Sequence, residues 1–167
     1  SYWSSFGSGF NAPMHDIRSL NGEYYIAGEG AHLFNPEVRY FAKYDTTTKD
    51  WVDVGFNGTG PVYTLSSFSS SIPGGPGLFV VGDFEKGGGL VANSLVMYSD
   101  DGEFSTFGKG IGSGYITTME ADDSGNVYVG GSFISVGPYE SRNFGVITDT
   151  GWIAFPNGCL LYTSPSP

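Results

Sequence analysis

The chain has 167 residues, enough for one domain or a slice of a larger one, and its 27 glycines and nine prolines exclude long helices. Only 14% of residues are charged against 16% aromatic and 40% hydrophobic, so there is apolar surface to bury and the composition is not that of a disordered chain. Seven basic residues against seventeen acidic ones leave a formal charge of −10, which repels phosphate backbones and anionic lipid and sets nucleic acid aside as a partner. No apolar run reaches the roughly 18 residues of a spanning helix, so no membrane insertion is expected within the chain.

From the N-terminus, residues 1–7 close on the phrase Trp3-Ser-Ser-Phe-Gly7 and read as the last strand of a preceding unit. Residues 8–57 form a first full unit, with strands expected over 14–20, 24–28 and 39–44 before the phrase Trp51-Val-Asp-Val-Gly55. Residues 58–110 repeat that order, with strands over 62–68, 78–82 and 94–98 before Phe104-Ser-Thr-Phe-Gly108. Residues 111–158 do so again, with strands over 115–120, 127–131 and 143–147 before Trp152-Ile-Ala-Phe155. The marker aromatics Trp3, Trp51, Phe104 and Trp152 are 48, 53 and 48 residues apart. Asn21-Gly22, the aspartate-bearing turn at 122–126 and the Asp-Gly turn at 100–103 supply the positive φ of tight hairpins. Between the second and third strands, residues 82–93 and 131–142 are rich in Gly, Ser, Pro and Asn and are expected to form exposed loops.

A four-stranded antiparallel meander repeating about every fifty residues predicts an all-β fold. More specifically, it predicts a partial β-propeller of three four-stranded antiparallel blades plus one leading strand. In that architecture the glycine ending each second strand, at 28, 82 and 131, sits where backbones crowd, and the marker aromatic fills the wedge between sheets. Asn126-Val-Tyr-Val-Gly-Gly-Ser-Phe133, followed by a polar loop, a short strand and Asp149-Thr-Gly-Trp152, resembles the kelch-like propeller repeats of fungal cortical cell-polarity markers and of large bacterial secreted proteins. The run from Leu95 to Phe104 resembles the delta-sixty repeat, in which an Asp-Gly turn joins two strands. Only the third unit carries the glycine doublet of kelch repeats; the first two have Ala27-Gly28 and Val81-Gly82. The resemblance implies a larger secreted or cell-surface protein in which neighbouring blades of the same parent chain are the nearest partners. Residues 159–167, which include the lone Cys159, resemble the in-frame translation of a transposase adapter used in sequencing libraries. They are expected to be non-native, with both chain ends set by sequencing.

The sequence carries no nucleophile elbow, calcium-loop spacing or recurring thiol, so no catalytic residue, cofactor or metal ligand is assigned. His15 and His32, the two histidines, have no ligand-spaced partners. Glu29 and Asp83 follow the recurring glycine, with Ser132 in the third unit, and would form an acidic ring if those strand ends meet. The loop aromatics Phe34, Phe84, Phe133 and Tyr139 are candidate contacts for a protein or glycan partner. The expected role is a non-enzymatic interaction scaffold; the alternatives are part of a carbohydrate-active propeller enzyme with catalytic groups partly elsewhere, or a structural stalk.

Overall fold

A computed structural model describes residues 5–68, 72 and 75–156; Trp3 and the segment 159–167 lie outside them. Runs rich in β-branched and aromatic residues, punctuated by Gly-, Asn- and Asp-bearing turns, form antiparallel strands, and no helix occurs among the described residues. The first sheet is a meander of β1 (Met14–Leu20), β2 (Glu23–Ala31), β3 (Arg39–Asp45) and β4 (Asp50–Asp53). The second has β5 (Val62–Phe68), β6 (Gly77–Gly82), β9 (Leu95–Ser99) and β10 (Phe104–Ser105), with β7 (Lys86–Gly87) and β8 (Leu90–Val91) as a separate small hairpin. The third has β11 (Ile111–Ala121), β12 (Val127–Val136), β14 (Phe144–Thr148) and β15 (Gly151–Ala154), while β13 (Tyr139–Glu140) folds back on β12. The all-β, antiparallel expectation therefore holds.

Two expectations change. Residues 131–136 are not a loop, because β12 continues to Val136 and pairs with Ile111–Tyr115 of an unexpectedly long β11. The continuation is driven by burial: Phe133 and Val136 are 3% and 0% exposed. At the other end, the described part of the leading segment is not a strand; it runs irregularly to Phe10, which makes an isolated bridge with His32.

The three sheets share irregularities as well as order. Each first strand bulges opposite the same glycine: the register shifts between Met14 and Asp16, between Val62 and Thr64, and between Ile116 and Thr118. The bulge pushes the first strand's backbone onto the second. A Cβ on Gly28 would lie 2.5 Å from the Pro13 carbonyl oxygen, on Gly82 2.0 Å from that of Pro61, and on Gly131 2.3 Å from that of Tyr115. A residue in the left-handed region stands at the start of each third strand: Tyr40 (φ 66°) as the second residue of β3, and Ser94 (φ 72°) and Asn143 (φ 64°) immediately before β9 and β14. Three chemically different side chains accept that conformation, so it is set by the pairing and not by local preference.

Packing follows the alternation of side chains along each strand. Leu78 and Val80 of β6, with Val96 and Tyr98 of β9, pack against Tyr25, Ala27 and Phe41 of the first sheet. The intervening Phe79 and Val81, with Leu95 and Met97, pack against Ile116, Met119, Val127, Val129 and Ile147 of the third sheet. The middle sheet is buried on both faces, which is why β6 and β9 read as unbroken apolar runs while β2 and β12 alternate. The first strands β1, β5 and β11 lie side by side. Asp16 bridges two of them, its Oδ2 accepting from Thr64 Oγ1 at 3.0 Å and from the Leu65 N–H at 2.9 Å. Arg18 Nε donates to the Leu65 carbonyl at 3.1 Å.

Gly82→Ala should therefore lower stability by about 1–3 kcal/mol by overpacking, whereas Ser67→Ala at an exposed site in the neighbouring strand should stay within about 0.5 kcal/mol. Urea denaturation of both variants measures the difference; equal midpoints would mean that the backbone approach at Gly82 is not limiting.

Candidate functional site

The bulges bring the residues around the recurring glycine to one end of the first strands. Glu29 follows Gly28 within β2, its N–H donating to the Pro13 carbonyl at 2.9 Å, and Asp83 leaves β6 after Gly82, its N–H donating to the Pro61 carbonyl at 3.0 Å. The Glu29 carboxylate meets His15 Nε2 at 2.9 Å. His15 lies edge-on to Tyr63 with ring centroids 5.8 Å apart, and Tyr63 lies edge-on to Tyr115 at 6.1 Å. The Tyr63 phenol is pushed up by burial, then by the negative fields of Asp83 and Glu29, so both carboxylates act on the same ring. Ser132 pairs with Tyr115 at the third corresponding position. The described part of this end thus offers a His15–Tyr63–Tyr115 row flanked by two acids. Among the described residues, no three His, Cys, Asp or Glu side chains converge as a metal site would require.

The four loop aromatics divide into two pairs. Phe34 is 80% exposed and Tyr139 54%, both available to a partner. Phe84 and Phe133 are not loop tips: they are 4% and 3% exposed and belong to the packing between sheets, Phe84 lying edge-on to Phe56 at 5.3 Å. The reason is strand parity. Phe84 continues the inward series Val80, Gly82, and Phe133 continues Val127, Val129, Gly131, so each lands on the buried face two places beyond its glycine. That signal was present in the spacing.

Tyr139 overhangs a groove of about 430 Å³ floored by Met97, Phe107 and Trp152, with Thr106 and Asp149 at its margins. Leu33 and Val91, in the segments joining second and third strands, and Ile134, in the last part of β12, are also half-exposed or more, so this end of the molecule is studded with isolated apolar side chains. The hairpin turns at the other end of the strands carry Asp45, Asp100, Asp101, Asp122 and Asp123, while Asp149, also in a hairpin turn, reaches the groove under Tyr139. Asp122 is held below the usual carboxylate range by the Asn126 side chain and by the N–H groups of Asn126 and Ser124, and Asp45 by the N–H of Thr47 and the hydroxyl of Thr48. These are turn-closing bonds.

The second histidine anchors the leading segment. Nδ1 of buried His32 accepts from the N–H groups of Phe34 and Asn35, leaving Nε2 to donate to Asp50 Oδ1 at 3.1 Å. Asp50 also accepts from the N–H and hydroxyl of Ser8 at 2.7 and 2.9 Å and from the Trp51 N–H at 2.9 Å. The Ser8 N–H leads in holding the Asp50 carboxyl far below its ordinary range, with the Trp51 N–H and His32 adding to it. Phe6 then stacks on Tyr44 at 3.9 Å, and its carbonyl accepts from Trp51 Nε1 at 3.2 Å.

Because the folded form depresses the Asp50 pKa, its stabilising effect is complete above the unfolded value near about 4 and is lost as pH falls through that region toward the folded value. Acidification from about pH 5 to pH 2 should therefore loosen residues 5–10, read as movement of the Trp51 indole N–H resonance; Asp50→Asn should loosen the segment at neutral pH and flatten the titration. An indole resonance unmoved by either change would count against the anchor. Phe84→Ala should cost about 3–5 kcal/mol in chemical denaturation and Phe34→Ala less than about 0.5 kcal/mol; similar losses would contradict the division between buried and exposed aromatics. No protein-family profile, curated protein or solved structure matches this chain.

Proposed function

We propose that the chain is a three-blade portion of a larger secreted or cell-surface β-propeller, acting as a non-enzymatic scaffold that binds a protein or glycan partner. The observation that carries this reading is the threefold recurrence of one unit: the same meander, the same first-strand bulge opposite glycine, and a left-handed residue at the start of the third strand. Successive units stack face to face with their first strands adjacent, as sheets arranged about a common axis do. Kelch-like and delta-sixty repeats fit the same spacing. Segments joining second and third strands carry the variation between units, and Phe34 and Tyr139 project from two of them.

Binding without turnover suits the histidines and their partners. His15 and Glu29 hold each other, and His32 is committed to Asp50 and to two backbone N–H groups. The groove under Tyr139 pairs an aromatic flank with an apolar floor and hydroxyl and carboxylate margins, chemistry that suits the C–H face and hydroxyls of a sugar.

Capture of the folded chain on a panel of cell-wall polysaccharides, glycans and surface proteins tests the proposal. Binding that weakens at least about tenfold, or about 1.4 kcal/mol, with Tyr139→Ala or Phe34→Ala is expected. Binding indifferent to both substitutions, or none across the panel, would overturn the scaffold reading; hydrolysis of a captured glycan, lost in Glu29→Gln or Asp83→Asn, would replace it with the enzyme.

A further inference from the structure

We infer that the open face of the third sheet is a docking face for one more four-stranded sheet of this same repeat, whose marker aromatic packs against Phe155. The inference rests on the stacked-repeat reading above and extends an interface already present twice in the molecule. In the first sheet, Tyr25, Ala27 and Phe41 face onward and are 3%, 0% and 0% exposed beneath the second. In the second, the corresponding Phe79, Val81 and Leu95 are each 0% exposed beneath the third, and Phe107 beyond β10 is 7% exposed. The third sheet presents Tyr128, Gly130, Phe144 and Phe155 at those positions. No described residue covers them: Tyr128 is 41% exposed, Phe155 36% and the intervening Ile153 47%. Tyr128, Phe144 and Phe155 form a continuous aromatic row, with centroid distances of 6.3 and 5.1 Å.

The marker aromatic follows from geometry seen where the leading segment meets the first sheet and where the second sheet meets the third; between the first and second sheets Val54 holds the corresponding place. Phe6 meets Trp51 edge-on at 5.7 Å and 69°, and Phe107 meets Trp152 at 5.9 Å and 71°. Phe6, Phe107 and Phe155 hold the same place in the recurring phrase, three residues after its aromatic, so Phe155 presents the next such socket. A second copy of the chain is a poorer occupant. Its matching surface would be the far side of the first sheet, where Phe6 already stacks on Tyr44 and Phe10 packs beside Trp51. Docking is thus directional, with the open socket at the third sheet.

The test lengthens the intact chain directly after Pro156 by a second copy of residues 109–156 and, in a separate version, by residues 57–108. Amide exchange across Phe144–Thr148 should slow at least about tenfold in the lengthened chain, and the melting midpoint should rise by about 5 °C or more. Ile153→Lys should leave the original chain within about 1 °C of its midpoint but abolish both gains in the lengthened one. Failure of both extensions to protect that strand overturns the inference, as does protection indifferent to Ile153→Lys. Dimerisation of the original chain in sedimentation, reversed by Ile153→Lys, would also overturn it by assigning the face to a second copy. Partner capture through Phe34 and Tyr139 that survives failed docking leaves the scaffold reading standing; docking without capture removes that reading and keeps the face.

Discussion

The close contact between each bulged first strand and the glycine that ends its neighbour is the constraint on which the rest of the architecture depends. With no Cβ at Gly28, Gly82 or Gly131, the preceding carbonyl comes within hydrogen-bonding reach of the next residue's N–H, and the pairing crosses the bulge without a break. The shift sets which side chains point onward and which point back. It therefore fixes the face that Phe79 and Val81 give the third sheet and the one that Leu78 and Val80 give the first.

Stacking converts that local rule into stability. The middle sheet packs against a neighbour on each face, and its apolar side chains serve two interfaces at once, so the second unit cannot be weakened without loosening both neighbours. Polar ties are few by comparison. Asp16 and Arg18 join the first two inner strands through the Leu65 backbone, and Asp50 with His32 binds the leading segment to the first sheet. Burial supplies the adhesion, and these directional bonds supply alignment.

Much of this was legible in the amino-acid sequence. Hydrophobic periodicity located the strands 14–20 and 62–68 at their observed limits, with the Asn21-Gly22 turn closing the first, because a half-buried strand must alternate and a tight turn needs residues that tolerate positive φ. The extension of β12 was hidden by the composition of residues 131–142, whose glycine and serine read as loop although Phe133 and Val136 seek burial. Phe84 was misplaced for the same reason: composition was read where parity decided. The Asp50–His32–Ser8 cluster could not be read at all, since its members are brought together across 42 and 18 residues by a segment with no regular structure.

The separation of hairpin acids from Phe34 gives the molecule an electrical direction as well as a geometric one. Asp45, Asp100, Asp101, Asp122 and Asp123 gather where strands reverse and Phe34 stands at the other end, while Asp149 reaches the groove under Tyr139. An anionic surface is therefore repelled most strongly at the hairpin end. Its approach is least opposed at the end that carries Phe34.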